Sequence, residues 1–565
     1  MIKKLKFIFA EEKKILFFYI FIIIFLVSLF EALSIGSVFP LINLLISKEK
    51  TNIDLIDQIL FSNNDENYES LVFFCVGVAL IFVIKNLLLG FFGWYKVKIT
   101  QNISKNLQIR LLRNYLSIPI DKFLTTNSSV MMRNINGEPK MLLKQMIIPF
   151  FILLQDVIVS IGLIILLISS FSTISAYSIL FSILFLYPLY LYSKTKLKTY
   201  SKKRLILTGK TLIFLRESVE LIREIKIYNK AMFFLKRYSR SLEKLNFVNL
   251  NINFISLLPK LILEIILVVG VLSLLFFIVF VLNIKMIDII PSLALIGAAF
   301  LKLVPSFIRI LGQYQKIEYA KPTLNLIENT LIETNKYKQK INYENYSEEF
   351  KTLELKNISH NFGDKKVLDK INLKISKGDN ILIQGKSGNG KTTLLNIISG
   401  LLKPISGKVK INDKDHDYSR PVVTNLSFVK SENYFIDSNI IENIALKPIN
   451  DLNNDEIKII EKLITLVNMD EFLNKLELEI GEKGNKLSDG QKQRLAIARA
   501  LYNKPNILIL DEATNSIDLN NEKIIFENIL KTFSYLSIIF VNHRESNFLN
   551  NSKIFIIENG KINEK

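Results

Sequence analysis

Cysteine is all but missing from this sequence. Cys75 stands alone in an apolar run, so no disulfide can form within one chain. Histidine is nearly as scarce, with three in 565 residues, and no motif surrounds His360 or His416. Negative charge is in short supply: 52 Asp and Glu stand against 72 Lys and Arg, a net charge of +20. The N-terminal apolar stretch carries lysines but is followed by no small-residue cleavage site, so it reads as a retained membrane helix rather than a signal peptide.

Hydrophobic residues are what the chain has in excess. They make up 50% of it, with a mean hydropathy of +0.29, yet 22% of residues are charged. That mixture implies one greasy part joined to one ordinary soluble part, and the sequence divides that way near residue 320. The basic charge is unevenly placed. Between Lys96 and Lys144 there are nine Lys or Arg against two acids, and from Lys194 to Leu250 fifteen against four. From Ser47 to Ser70 the balance reverses, with two Lys and six acids. Basic loops alternating with an acidic one follow the positive-inside rule, which places the basic stretches in the cytoplasm and assigns the charge to topology rather than to nucleic acid.

About 20 apolar residues are needed to cross the roughly 30 Å hydrocarbon core. Six stretches qualify: Ile15–Ile46, Leu71–Tyr95, Met146–Ser170, Ile174–Ser193, Ile252–Leu282 and Ile287–Leu311. Backbone amides inside a bilayer must be satisfied within the segment, so these are helices. An even number of crossings puts both termini in the cytoplasm. The connections after the second and fourth stretches are long and rich in helix formers, which suits helices that continue as rods toward a cytoplasmic domain, with coupling segments at 127–136 and 208–219. In the acidic outer loop Ile53, Ile56, Ile59 and Leu60 recur at helical spacing, consistent with a short amphipathic surface helix or a packed loop.

The polar stretch 322–350 reads as a linker. Beyond it, β-branched runs alternate with helical patterns, predicting an α/β domain with a largely parallel sheet. Three motifs lie there. Gly385, Lys386, Ser387, Gly388, Asn389, Gly390, Lys391, Thr392 and Thr393 fit a phosphate-binding P-loop between the apolar strand Asn380–Ile383 and the helical Leu394–Ile398. Its glycines let backbone amides wrap phosphate, Lys391 reaches the β- and γ-phosphates of ATP, and the Thr392 hydroxyl ligates Mg²⁺. The apolar run Ile507–Leu510 ends in Asp511, for the metal shell, and Glu512, for polarising the attacking water as general base.

The third motif, Leu487, Ser488, Asp489, Gly490, Gln491 through Arg494, resembles the signature of ATP-binding cassette proteins, and the resemblance covers 353–565. It implies that Phe362 stacks on adenine, that Gly481, Glu482 and Gly484 form the exporter-specific segment, that Asn515–Asp518 is the D-loop, and that His543 senses the γ-phosphate. It also implies that Ser488, Gly490 and Gln491 face ATP across a dimer, so that one cassette needs a partner, most simply a second copy. Two positions depart from the family: Ser431 stands where a glutamine belongs, and Asp489 replaces the first signature glycine.

The whole then resembles a type IV ABC exporter: an all-α six-helix transmembrane domain over 1–321, a linker over 322–350, and an α/β P-loop nucleotide-binding domain over 351–565. Within the membrane half, Pro259–Glu264, Phe300–Ile310, Leu29–Glu31 and Phe39–Pro40 are similar to the bacterial subgroup that flips lipid-linked oligosaccharide. Lys85, Lys260, Lys302 and Arg309 are charges inside membrane helices, where charge is costly and usually functional. They are the candidate contacts for a polyprenyl-pyrophosphate substrate, with pairing to Glu31 or Glu264, or snorkelling to the interface, as the alternative. The expectation is a homodimeric flippase in the bacterial inner membrane, handling a membrane lipid with its cassette in the cytoplasm. A peptide or small-molecule exporter of the same architecture is the second reading and an ATP-gated regulator the third.

Overall fold

The computed structural model describes residues 2–11, 14–36, 68–170, 172–280, 286–337, 349–416, 425–541 and 552–565. The outer-loop residues Ile53–Leu60, the pair Phe39–Pro40 and His543 lie outside them. The chain divides into two compact units: Met1–Ile118 with Thr125–Lys338, and Pro119–Leu124 with Gln339–Lys565.

Long helices dominate the first unit. They are α1 (Lys14–Gly36), α2 (Tyr68–Leu116), a run Ser128–Ser170 whose last part is α3 (Ile148–Ser170), α4 (Ser172–Glu220), α5 (Ala231–Phe280) and α6 (Met286–Asn335). At 1.5 Å per residue a helix of 50 residues, such as α6, is about 75 Å long, more than twice the hydrocarbon core. Such helices therefore run on past the apolar stretches as rods. Among the described residues, Cys75–Leu116, Ser128–Gly162 and Ala231–Ile262 are long and apolar enough to cross a membrane, and Phe18–Glu31 is a shorter apolar helix. On α2 the exposed residues Val76, Leu80, Val83, Leu87, Phe91 and Trp94 follow one another every three or four positions. Water would penalise such an apolar stripe, whereas lipid accommodates it.

Two expectations shift. The polar stretch beginning at residue 322 is helical as far as Asn335, because its apolar residues Leu324, Ile327 and Leu331 fall on one buried face of α6 while its charges face out. The rods turn at the short helices Ile120–Thr125 and Ile222–Ile227, rather than within 127–136 and 208–219. Pro119 and the left-handed Asn229 (φ 52°) mark those turns. Between 128 and 147 the helix is interrupted by two π-turns, Arg133–Gly137 and Leu143–Ile147. There the buried Glu138 meets Arg204 at 3.3 Å and accepts from Thr323 at 2.8 Å, tying that run to α4 and α6. Gly209 on α4 makes room for Arg133, whose Nη1 would sit 2.5 Å from an added Cβ.

The second unit contains two sheets. An antiparallel one has the order β2 (Lys365–Ser376), β1 (Thr352–Phe362), β4 (Ser406–Ile411), β5 (Lys414–Asp415). The other has the order β10 (Lys561–Glu564), β9 (Lys553–Glu558), β3 (Asn380–Gln384), β8 (Ser537–Val541), β7 (Ile507–Asp511), β6 (Leu426–Lys430), parallel throughout except for β10. Alternation divides its residues between two cores. Ile381, Ile383, Ile507, Ile509, Ile539 and Val541 pack with Leu394, Leu395, Ile397 and Ile398 of α7 (Lys391–Ile398). Leu382, Leu508, Leu510, Ile538 and Phe540 pack with Leu495 and Ile497 of α9 (Asp489–Tyr502), with α8 (Asn454–Leu466) and with α10 (Leu519–Thr532). Each such side chain contributes about 1.5–3 kcal/mol on burial, and a one-residue slip of any strand would exchange the two cores.

Candidate nucleotide and membrane sites

The phosphate cradle hangs between the end of β3 and the start of α7. Its glycines are required for space as well as for conformation. At Gly385 (φ 153°) a Cβ would lie 2.6 Å from the Ile557 carbonyl, and at Gly390 (φ 94°) 2.9 Å from Val367. Asn389 closes the loop by donating to the Ile557 carbonyl at 3.0 Å. The Lys391 ammonium is folded onto the loop's own carbonyls, at 2.5 Å from Gly385 and 3.3 Å from Lys386. A cradle of backbone curved around an ammonium suits a polyphosphate. Lys386, Ser387, Gly388 and Thr393 complete the turn and the first turn of α7.

Asp511 ends β7 with its carboxylate 3.5 Å from the Thr392 hydroxyl. Burial pushes the Asp511 carboxyl above its usual range and the neighbouring Glu512 adds to this, while Lys430, Thr392 and Lys391 pull it back down. An acid and a hydroxyl meeting beside a phosphate cradle are the donors that Mg²⁺ prefers. Glu512 adopts a left-handed backbone (φ 53°), held by its amide donating to the Val541 carbonyl at 3.0 Å. Strain of this kind costs of order 1–3 kcal/mol and concentrates at functional positions. Asn515 of the D-loop reaches the Glu512 carboxylate at 3.5 Å.

Ser488 caps α9: its hydroxyl accepts from the Gln491 amide at 3.2 Å, and the Gln491 side chain accepts from the Ser488 amide at 2.9 Å. Gly490 must be glycine because a Cβ there would lie 2.9 Å from the Ser516 carbonyl, and Gln493 accepts from the Ser516 amide at 2.9 Å. The signature helix and D-loop are thereby locked together, a role for Gln493 that spacing alone did not disclose. Asp489, the departure from the family, points into solvent beside Lys492 at 3.2 Å and leaves that geometry intact. Phe362 is half exposed at the end of β1, with its ring edge-on to His360 at 5.0 Å. Burial lowers the His360 pKa from its ordinary value.

In the first unit, Arg309 on α6 makes a bidentate contact with Asp156 on α3: Nε lies 3.0 and 3.1 Å from the two oxygens and Nη2 2.8 Å from one of them. Asp156 is 5% exposed, whereas the Arg309 side chain is 41% exposed and also donates to Ser306 at 3.1 Å. The adjacent Gln155 donates to buried Glu31 of α1 at 3.4 Å. Lys85 is buried on α2 with its ammonium 4.7 Å from the Phe82 ring centre. Lys260 is exposed and stands 4.0 Å from Glu264, one turn on. Lys302 lies on α6 two turns before Arg309. Sequence reasoning missed Asp156, although a charge inside an apolar run is the signal that singled out the four basic residues.

The comparisons with known proteins agree with this geometry. Residues 368–515 match the ABC transporter family, and 52–296 match the ABC transporter transmembrane region. The fold is that of a type IV ABC exporter, a transmembrane domain followed by a nucleotide-binding domain. A solved bacterial Atm1-family ABC exporter with ATP bound superposes with a TM-score of 0.78 at 17% identity, over 97% of this chain and 95% of that one. The alpha-hemolysin translocation ATP-binding protein of Escherichia coli O6:H1 is 38% identical over 208 residues, 35% of this chain and 28% of that protein. The chloroplastic ABC transporter B family member 29 of Arabidopsis thaliana is 35% identical over 205 residues, 35% of this chain and 32% of that protein. The chain thus spans about a third or less of the length of these relatives. The protein is a multi-pass membrane protein, and its second domain is an ATP-binding cassette, the family's ATPase.

Proposed function

We propose that two copies of this chain form an ATP-driven exporter in the bacterial inner membrane that flips a lipid-linked saccharide with a pyrophosphate headgroup, the cassettes lying in the cytoplasm. Bound Mg·ATP supplies the phosphoanhydride whose hydrolysis drives the cycle. Lys391 and the amides of the cradle hold its phosphates, Thr392 and Asp511 hold the metal, and Phe362 faces the base. Glu512 orients the attacking water and takes its proton, and His543 is assigned from the sequence motif as the sensor of the terminal phosphate. Ser488, Gly490 and Gln491 close the site from the second copy. Half-exposed Arg309 carries the substrate reading: its side chain is held by Asp156 yet open over two-fifths of its surface, within the apolar stretch 287–311 that the sequence assigns to the membrane. A guanidinium charge in low dielectric suits a phosphate, and Lys302, Lys260 and Lys85 add cations on α6, α5 and α2.

Export of protein or drug is the second reading, favoured by the name of the hemolysin translocation relative. That similarity extends over 208 residues, about the length of a cassette, so it bears on the motor more than on the cargo. ATP hydrolysis by the purified protein in proteoliposomes separates the two. Polyprenyl-pyrophosphate oligosaccharide is expected to stimulate it severalfold, and hydrophobic peptides are not. Stimulation by peptides alone would overturn the lipid reading.

A further inference from the structure

Ser431 stands after β6 where the resemblance to the cassette family implies a glutamine, and the residue before it is a lysine. The five residues of β6 pair in parallel register with β7, from Leu426 opposite Ile507 to Lys430 opposite Asp511. In-register neighbours on adjacent strands point to the same face of a sheet. Which face is settled by the packing: Leu426 and Phe428 lie against the core that contains Ile507, Ile509 and the α7 residues Leu394 and Ile398. Val429 belongs to the opposite core, and Ser427 donates to the Ala500 carbonyl of α9 on that side at 2.6 Å. Lys430 therefore projects on the α7 side, next to the Asp511 carboxylate that meets Thr392. Its ammonium is 5.7 Å from the Phe428 ring centre, so its stem follows that face. Asn433 donates to the Lys430 carbonyl at 2.7 Å and turns the chain sharply away, leaving Ser431 and Glu432 exposed to solvent.

We propose that Lys430 is a positioning residue of the nucleotide site, placing an exposed positive charge at the edge of the metal and terminal phosphate where Ser431 is too short to reach. The proposal rests on the reading that the cassette binds Mg·ATP. The charge acts on two partners with opposite sign. It attracts phosphate and repels a divalent cation, so the cassette relies on an ammonium for part of the grip that a glutamine amide would provide through the metal. Lys391 is a second cation whose charge, like that of Lys430, favours the ionised Asp511 carboxylate.

The test is equilibrium binding to the full-length protein in nanodiscs, comparing the parent with Lys430→Ala and Lys430→Arg. Mn²⁺ affinity of the ADP-saturated protein is read by electron paramagnetic resonance, and ATP affinity is measured in EDTA. A unit charge acting on a divalent ion at roughly 6 Å in a water-like dielectric corresponds to about a tenfold change in affinity. Lys430→Ala is thus expected to bind Mn²⁺ about tenfold more tightly and metal-free ATP severalfold more weakly, while Lys430→Arg keeps the parent values. Opposite changes in the two affinities cannot come from a loss of folding. Affinities within twofold of the parent, or a weakening of both together, overturn the proposal. A parent protein that binds neither nucleotide overturns the underlying reading instead.

Discussion

At the scale of single residues the candidate nucleotide site joins side chains whose chemistry needs particular spacings. Lys391, Thr392, Asp511 and Ser488 were identifiable before any fold, since a P-loop, an acid-terminated strand and a capped signature helix are local patterns. Lys430 and Gln493 were not. Their roles depend on strand register and on the D-loop folding back over α9, and neither relation is encoded by neighbours in the chain. Glu512 permits the sharpest statement at this scale. Glu512→Gln preserves the size of the side chain and its strained backbone but removes the proton acceptor. Nucleotide affinity should stay near the parent value, and ATP turnover should fall by about 10²–10⁴-fold, the usual contribution of a general base. Turnover within a few-fold of the parent would remove Glu512 from that role.

At the scale of elements, apolar length predicted helices, three of which are long and apolar enough to cross a membrane among the described residues, and the structure extends them into rods that hydropathy alone does not delimit. The polar residues after Pro322 belong to α6 because helical amphipathicity places every third or fourth residue inward, which composition averaged over the stretch conceals. The contact between α3 and α6 is the element-level feature that links stability to the proposed substrate path. Arg309→Ala removes the bidentate partner of nearly buried Asp156; because the Arg309 side chain is itself 41% exposed, the cost falls below the roughly 3–5 kcal/mol of a fully buried pair, and replacing both residues is milder still. Thermal unfolding in detergent should therefore show a clear loss of stability in Arg309→Ala and recovery in the double variant Arg309→Ala/Asp156→Ala. The recovered double variant should still fail to flip a pyrophosphate lipid while hydrolysing ATP at close to the basal rate. Normal flipping by that variant would make the pair a purely structural tie.

At the scale of the whole molecule, one cassette presents a phosphate cradle and, at the start of α9, a capped signature that in the proposed arrangement closes on the nucleotide of a second chain. The central claim is that two identical chains build the working sites together. Its most direct test co-expresses Lys391→Ala and Ser488→Ala chains with different tags and purifies the mixed dimer. Each variant alone places one defect in both sites. The mixed dimer gathers both defects into one site and leaves the other intact. The account predicts that the separate variants hydrolyse ATP poorly and that the mixed dimer recovers hydrolysis well above either. A mixed dimer no more active than its parents would contradict it.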